Sequence, residues 1–503
     1  MRKLWSLLIC VWMVVSLCFI MPRASGAQTA KVRARLLHTV TDGYSNLWSP
    51  DNRTFAVYKR DVVLYDAVTG MARAQIKYEG SPTPNSIYFT PDGSTFVIHS
   101  DRVRLYDVSD GRLLRQFAAG SKPINYYEKV YQQKDVSGYN YEGQYEYKTE
   151  DPSNLERMRE LPTEYISDRI ISPDGKALLT RVKGGAAQVY DMSTGAPKFT
   201  LEPYVAPGKK RNGRGVALGE FSPDGKFIVT SHRDLTPRLW QADTGQLVAD
   251  LAPQSDIVYG VRFSPDSRFV ATTSFTDGIV KIWDTATGKL RHTVGTKKDG
   301  QWFAVWNPRN NTFVTKSEKT DRGEINIWSA ETGALVAKLD GKALKEKFDE
   351  NLTFVYSPDG RLLVTKAKNN LSLLSGLLPN NKLRLIAHLW DAETGTLIAS
   401  LTDTKGRDGS DYWYDKFFWT PAGDVLITTG VTVKLWTRRG ELMQELDSDA
   451  TLGASLSPDG KLLALTGASP ENTRSLVKAA AKLMIGKVPK VNASMTYVWK
   501  LEG

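Results

Sequence analysis

The chain contains Ser264-Pro265-Asp266-Ser267, followed 16 residues after Ser264 by Val280-Lys281-Ile282-Trp283-Asp284-Thr285-Ala286-Thr287-Gly288. The proline fixes φ at the first corner of a turn, and the Asp that follows it tolerates the remaining turn conformation. Between the two motifs lies a short apolar run rich in β-branched residues, which is typical of a strand, and the Pro-Asp turn joins this strand to another short strand before Ser264. The second motif is also a strand, and its Asp-x-x-Thr-Gly end is a second turn that leads to a further strand. The segment therefore predicts one small antiparallel sheet of four strands.

The same unit occurs nine times. Its first turn begins at Ser49, Thr90, Ser172, Ser222, Ser264, Asn307, Ser357, Thr420 and Ser457. Its aromatic strand ends at Tyr65, Tyr106, Tyr190, Trp240, Trp283, Trp328, Trp390, Trp436 and Trp499. A repeat of about 40 to 50 residues with this content is typical of propeller blades, and we interpret the nine aromatic residues as structural core residues.

These turns and aromatic strands resemble the blades of WD-repeat β-propellers, and the likeness covers nearly all of the chain after residue 33. The Gly-His dipeptide of that family is absent from every unit, because none of the five histidines follows a glycine. The pattern is also similar to the propeller-like domain of translation initiation factors. The resemblance implies an all-β protein whose blades are arranged in a ring.

The two ends of the chain predict how the ring closes. The last unit stops at Trp499–Gly503 without an outer strand, and Arg35–Val40 near the N-terminus is similar to the outer strand Lys289–Val294. We therefore expect the N-terminal strand to complete the last blade of a single closed ring of about nine blades. Closure in this way removes exposed sheet edges. A ring of seven or eight blades, or two smaller rings, are the alternatives.

The N-terminus has the three parts of a secretory signal peptide over residues 1–26: Met1-Arg2-Lys3, an apolar run from Leu4 to Met21, and small residues before Ala27. We expect cleavage there and a mature propeller over 27–503, in the periplasm or outside the cell. The alternative is that the apolar run is retained as a membrane anchor. Cys10 and Cys18 both lie in this segment, so the rest of the chain has no disulfide and no cysteine-ligated metal.

The net charge does not indicate a nucleic-acid-binding protein. It is +11 for the whole chain and falls to +8 without Arg2, Lys3 and Arg23. This is a modest charge for about 477 residues, and a nucleic-acid partner would require a larger and clustered basic surface. We therefore expect no nucleic-acid partner.

Long insertions in the repeat predict a binding face. The two kinds of turn connect strands one and two and strands three and four, so they share one face of the ring. We name this the turn-bearing face. The insertions fall in the other connections, at residues 118–165, 204–216, 340–350, 366–387, 403–415 and 467–495. They should lie on the opposite, insertion-bearing face, and long loops on a rigid scaffold commonly carry binding.

Three of these insertions contain candidate contact residues. A Tyr-rich stretch within 118–165 predicts a hairpin that puts Tyr139, Tyr141, Tyr145 and Tyr147 on one side. This side either binds a partner or packs on the ring. The other candidates are the aromatic run Tyr412, Trp413 and Tyr414 and the basic loop residues Lys209, Lys210, Arg211 and Arg214. Residues 474–487 have helical propensity and either contact a membrane or pack on the domain.

Motifs of catalysis are absent from the sequence. It has no Gly-x-Ser-x-Gly elbow, no His-Glu-x-x-His, no Walker loop and no EF-hand loop. We therefore predict no catalytic residue, no metal site and no cofactor, and an exported scaffold that binds another protein or a cell-envelope component through its insertion-bearing face. One alternative is a propeller enzyme of the lactonase or lyase type with a site in the central channel. The other, implied by resemblance, is a translation-initiation-factor-like propeller.

Overall fold

The first turn of each unit is held by its own side chains. In the computed structural model, Ser264 Oγ donates a hydrogen bond to Asp266 Oδ1 over 2.7 Å and accepts one from the backbone N–H of Phe269 over 3.0 Å. The same pair of hydrogen bonds forms at Ser172 and Ser222. Gly175 and Gly225 have φ of 73°, and Ser267 adopts φ of 65° at the matching position. Hydrogen bonds within the turn therefore fix where the second strand of the blade begins.

The structure describes residues 33–41, 45–58, 61–77, 86–99, 103–117, 122–123, 170–181, 186–202, 216–232, 235–254, 258–274, 278–296, 301–317, 324–339, 353–367, 383–404, 416–430, 432–446, 451–468 and 494–502. Every regular element in these ranges is a β-strand.

The strands of the first four blades, after the N-terminal strand, are β1 (Arg33–Thr41), β2 (Ser45–Trp48), β3 (Thr54–Tyr58), β4 (Val62–Asp66), β5 (Ala72–Ile76), β6 (Ser86–Phe89), β7 (Thr95–His99), β8 (Val103–Asp107), β9 (Leu113–Gln116), β10 (Lys122–Pro123), β11 (Ala177–Arg181), β12 (Ala187–Asp191), β13 (Pro197–Leu201), β14 (Val216–Phe221), β15 (Phe227–His232), β16 (Arg238–Gln241) and β17 (Leu247–Asp250).

Those of the last five blades are β18 (Val258–Phe263), β19 (Phe269–Ser274), β20 (Val280–Asp284), β21 (Leu290–Val294), β22 (Gln301–Trp306), β23 (Thr312–Ser317), β24 (Ile325–Ser329), β25 (Leu335–Lys338), β26 (Phe354–Tyr356), β27 (Leu362–Lys366), β28 (Leu383–Asp391), β29 (Leu397–Thr404), β30 (Phe417–Trp419), β31 (Val425–Thr428), β32 (Val433–Thr437), β33 (Leu442–Leu446), β34 (Thr451–Leu456), β35 (Leu462–Ala468) and β36 (Ser494–Glu502).

These strands form nine antiparallel four-stranded sheets, which confirms the predicted count and class. Eight sheets contain four strands in chain order, from innermost to outermost. The first strands of neighbouring blades contact one another, as β14 does with β18. A β-bulge occurs in the pairing of the third and fourth strands, next to the aromatic residue; for example, Ile282 pairs with His292 but Trp283 pairs with Leu290.

The ninth sheet confirms the predicted closure, because its order is β1-β36-β35-β34. Strand β1 pairs antiparallel with β36 from Arg33↔Glu502 to Thr41↔Met495. Further hydrogen bonds join the two ends of the chain: Trp48 Nε1 donates to the backbone oxygen of Ser455 over 3.1 Å, and Asn46 Nδ2 donates to Thr466 Oγ1 over 2.8 Å. The last blade is therefore built from both ends of the chain.

The hydrophobic core lies between blades rather than within them. One cluster joins Val229 and Leu239 of the fourth blade to Val261, Phe263 and Trp283 of the fifth. Similar clusters join each pair of neighbours around the ring, including the ninth and first blades, where Val40 and Val498 meet Trp48 and Phe55. Burial on both faces explains why second strands such as β15 and β19 are mostly apolar, whereas the outermost strands such as β9 and β17 are largely exposed.

Some insertions begin and end at different residues from those predicted. Strand β28 extends back to Leu383 and β29 forward to Thr404, since their pairing continues through Arg384↔Asp403 and Leu383↔Thr404. Strands β35 and β36 similarly pair as far as Ala468↔Ser494. Residues 122–123, within the insertion predicted over 118–165, form strand β10.

Candidate functional site

The structure supports the division of the ring into two unlike faces. Where one connection joins a first strand to a second strand, or a third strand to a fourth, it is a turn of four or five residues. The third blade differs, because its turn at residues 172–176 does not directly follow the named first strand β10. It follows Ile171, which pairs with Leu178 as an isolated bridge. The largest gaps between consecutive strands fall between second and third strands, from Lys366 to Leu383 and from Ala468 to Ser494, and these strand ends are at the other face. The insertion-bearing face is the candidate functional site.

The candidate contact residues on this face lie outside the described residues, so they stay predictions. They are Tyr139, Tyr141, Tyr145, Tyr147, Lys209, Lys210, Arg211, Arg214, Tyr412, Trp413 and Tyr414. The predicted helix over 474–487 also lies outside them.

The aromatic residues at the ends of the third strands pack in the core between blades and so stabilise the ring that carries the candidate site. Tyr65, Tyr106, Tyr190, Trp240, Trp283, Trp390 and Trp436 are buried, and Trp328 and Trp499 are half-buried. In five blades the indole N–H donates to a threonine hydroxyl on the second strand, as Trp390 Nε1 does to Thr365 Oγ1 over 2.9 Å. Each bond satisfies a polar group that burial would otherwise leave without water.

A histidine joins this arrangement in the fourth blade. His232 Nε2 lies 2.7 Å from Thr230 Oγ1, and the same oxygen accepts from Trp240 Nε1 over 2.8 Å. All three residues are buried. His232 comes from the second strand of its own blade, two residues after Thr230, so the sequence signal is a Thr-x-His rather than a Gly-His dipeptide.

The other described histidine side chains lie in separate blades. His388 on β28 is buried, and burial lowers its pKa to about 4. Burial also lowers the pKa of His38 on β1, against a smaller opposing effect of Asp66. In the described part of the chain, no group of three or more His, Cys, Asp or Glu side chains could hold a metal ion.

Sequence reasoning missed a buried carboxylate between the fourth and fifth blades. Glu220 on β14 is 1% exposed; its Oε1 accepts from the backbone N–H of Phe263 over 2.7 Å, and its Oε2 lies 3.4 Å from Arg262 Nη1. The contact links two innermost strands across the blade boundary. A single acid in an apolar strand was the one signal available for it.

The turn-bearing face presents carboxylates that are bound by their own turns. Backbone N–H of Thr69 is the main cause that lowers the pKa of Asp66 to about 2, with further hydrogen bonds from Arg73 and the Thr69 hydroxyl. The Ser193 hydroxyl, followed by the backbone N–H of Thr194, lowers the pKa of Asp191 to about 2. These aspartates stabilise the turns in which they lie.

We expect the second turn of the first blade to stabilise the protein down to acidic pH. The folded pKa of Asp66 lies below the value of about 3.9 expected when unfolded, so its stabilising effect is present above pH 4 and is lost as the pH falls towards 2. Thermal unfolding of Asp66→Asn should therefore occur at a lower temperature than that of the wild type at neutral pH, and the difference should shrink below pH 4. A difference that is constant from pH 7 to pH 2.5 would contradict this assignment.

No helix in the described ranges is long and apolar enough to cross a membrane.

Comparison with known proteins gives matches to WD-repeat proteins. The family model described as "WD domain, G-beta repeat" matches residues 213–241 and 245–284, in the fourth and fifth blades. The WD repeat-containing protein WDS homolog of Arabidopsis thaliana is 29% identical over 153 residues, which cover 29% of this chain and 28% of that protein. The angio-associated migratory cell protein of Homo sapiens is 26% identical over 209 residues, or 39% of this chain and 45% of that protein.

The chain thus spans less than half the length of these two relatives. Among solved structures, the C-terminal WD40 domain of Sif2 matches with a TM-score of 0.47 and 12% identity, over 78% of this chain and 95% of that one. The blades themselves carry the assignment: nine four-stranded sheets form the ring, and the family model falls on two of them. The chain is a nine-bladed β-propeller, and its fourth and fifth blades are similar to WD repeats.

Proposed function

We propose that this chain is an exported, non-catalytic scaffold that binds another protein or a cell-envelope component through its insertion-bearing face. The contrast between the two faces carries the proposal. Connections on the turn-bearing face are held to four or five residues by hydrogen bonds within each turn. The long connections between second and third strands start and end at the other face, so that face can present varied side chains on a rigid support. WD-repeat propellers generally bind other proteins, which agrees with this role.

The export step is supported by the sequence of the first 26 residues and by the position of both cysteines within them. Membrane contact through 474–487 or through a retained N-terminal segment belongs to the same proposal. The translation-factor alternative rests on similarity, including a match of 27% identity over 77 residues to eukaryotic translation initiation factor 3 subunit I of Vanderwaltozyma polyspora. The channel-enzyme alternative would require catalytic groups around the ring axis.

We expect loss of a specific partner when the insertion-bearing face is altered. The test is cross-linking of the full chain in cell envelopes, followed by capture and comparison with two variants. One variant changes the predicted contact run to Tyr412→Ala, Trp413→Ala and Tyr414→Ala. The matched control changes two exposed apolar residues of the turn-bearing face, Val68→Ser and Met71→Ser, which are 71% and 70% exposed.

A partner lost only from the aromatic variant, with both variants folded, is the expected result. A partner lost only from the Val68 and Met71 variant would place binding on the turn-bearing face. Recovery of the protein with cytosolic ribosomes rather than with envelopes would contradict the exported scaffold altogether.

A further inference from the structure

Two exposed apolar residues distinguish the second turn of the first blade. Val68 and Met71 lie in this turn, residues 67–71, and are 71% and 70% exposed, more than any other large apolar side chain in the described part of the chain. The backbone of the turn does not require them, because the second turn of the fifth blade has the same hydrogen bonds with Ala286 and Lys289 at these positions.

The other blades place no large apolar residue at these two positions. The six other second turns of the same length carry alanine or polar residues there: Ser109 and Arg112, Ser193 and Ala196, Asp243 and Gln246, Ala286 and Lys289, Glu331 and Ala334, and Glu393 and Thr396. The apolar pair is therefore a surface feature of the first blade alone among these turns. Exposed apolar groups of this kind mark contact with a partner or a membrane.

The turn lies at the seam where β1 closes the ring. A Cβ atom at Gly70 would lie 2.6 Å from His38 Cδ2, so the imidazole packs directly on this glycine, between Val68 and Met71 in the sequence. Leu36, two residues before His38 on β1, is 43% exposed. This contact brings three apolar side chains to one surface, and we name Leu36, Val68 and Met71 the seam patch.

The chain enters the ring beside the seam patch. Leu36 pairs with the aromatic residue that ends the third strand, where other blades form their second turn, and the pairing ends at Arg33↔Glu502. Strand β1 therefore begins at the turn-bearing face. The sequence before it contains the apolar run Leu4–Met21, and residues 22–36 contain four basic residues and no acidic one. Under the proposed export, the part of the chain that meets lipid is thus attached next to the patch.

Basic residues lie beside the seam patch. Arg35 on β1 and Arg53 in the first turn of the first blade are both exposed, and the backbone oxygen of Arg53 accepts an N–H from the second turn over 2.9 Å. The carboxylate of Asp66 forms an ion pair with Arg73, and that of Asp51 accepts hydrogen bonds within the first turn. Guanidinium groups therefore flank the patch, as expected of a surface that meets anionic headgroups.

We propose that the seam patch contacts an anionic lipid bilayer, with the turn-bearing face of the first blade towards the membrane and the insertion-bearing face away from it. Three side chains are too few for a stable protein interface, which buries about 800 Å² on each partner. A bilayer accepts apolar side chains without a complementary shape. The inference rests on the proposed function and adds the surface and the orientation of its membrane contact.

The orientation is tested with fluorophores on the full chain carrying Cys10→Ser and Cys18→Ser, so that one added cysteine is unique. Val68→Cys is compared with Ala286→Cys, the exposed matching position in the fifth blade. Both labelled proteins are added to vesicles of phosphatidylcholine and phosphatidylglycerol that contain spin-labelled lipid. Quenching should be several-fold stronger at position 68. Equal quenching at the two positions, or none at position 68, would overturn the orientation.

The contribution of the patch is tested on residues 27–503, which include every described strand and lack the apolar run. Val68→Ser with Met71→Ser should lower co-flotation with the same vesicles at least five-fold. The matched control is Leu290→Ser with Leu335→Ser, two rim leucines that are 47% and 49% exposed. Equal losses for the two variants, or a wild type that does not float with the vesicles, would overturn the proposal.

The basic residues are tested by charge. Arg35→Gln should weaken co-flotation and reduce its dependence on salt concentration, because one attraction to the anionic lipid is removed. Vesicles of phosphatidylcholine alone should bind the wild type several-fold more weakly. Equal binding to the two kinds of vesicle would refute the anionic surface.

The outcomes separate this contact from the scaffold function. Capture of an envelope partner by a protein that makes no vesicle contact would leave the scaffold standing and refute the seam patch. Vesicle contact at the seam patch by a protein that captures no partner would do the reverse. The Val68 and Met71 variant should keep its partner while it loses vesicle binding, because its insertion-bearing face is unchanged.

Discussion

Val40→Asp is expected to open the ring at its closing blade and to destabilise the protein by about 3 to 5 kcal/mol, because it buries a carboxylate without a partner. Val40 is 5% exposed on β1 and packs with Trp48, Phe55 and Val57 of the first blade and with Val498 of the last. Its backbone pairs opposite Thr496. The charge would therefore lie in a core cluster that joins the two ends of the chain.

Thr39→Asp is the matched control, since Thr39 is the preceding residue of the same strand and its side chain is exposed. Urea unfolding should show a large loss for Val40→Asp and little change for Thr39→Asp. Opening should also expose strand edges, so the first variant should self-associate as protein concentration rises, as measured by light scattering. Equal unfolding midpoints for the two variants would show that β1 contributes little to ring closure.

The architecture could be predicted from the sequence because its determinants are local. The Ser172 and Ser264 turns form through hydrogen bonds to an Asp two residues later and an N–H five residues later. Such turns fix where a strand ends whatever the rest of the chain does. Closure was predictable as well, since Arg35–Val40 is similar to an outer strand and the last unit has none.

Other features depend on contacts between distant residues and left no such pattern. Lys122 and Pro123 join the third blade through pairing with Arg181 and Thr180, although nothing in two residues indicates a strand. Glu220 is buried because it accepts the N–H of Phe263 from the next blade. The candidate contact residues on the insertion-bearing face, such as Tyr412, lie outside the described residues and stay predictions.

Trp283→Ala is expected to cost about 3 to 5 kcal/mol of unfolding free energy, because it removes a large buried side chain and leaves a cavity. Trp283 is 2% exposed and packs with Val261 and Phe263 between the fourth and fifth blades. Trp328→Ala is the matched comparison. Its indole N–H donates to Thr315 over the same 2.8 Å that joins Trp283 to Thr272.

Trp328 is only half-buried, so the two variants lose similar hydrogen bonds but different apolar burial. If burial dominates, Trp328→Ala should cost clearly less than Trp283→Ala in denaturant unfolding. Trp283→Phe separates the contribution of apolar burial from that of the hydrogen bond. It keeps most of the side-chain volume but leaves Thr272 without the indole donor, so it should lower the unfolding free energy by about 1 kcal/mol. Trp328→Phe is the corresponding variant at the other site. If the two alanine variants lose the same unfolding free energy, and each phenylalanine variant loses as much as its alanine variant, the indole–threonine hydrogen bond rather than apolar burial holds the blades together.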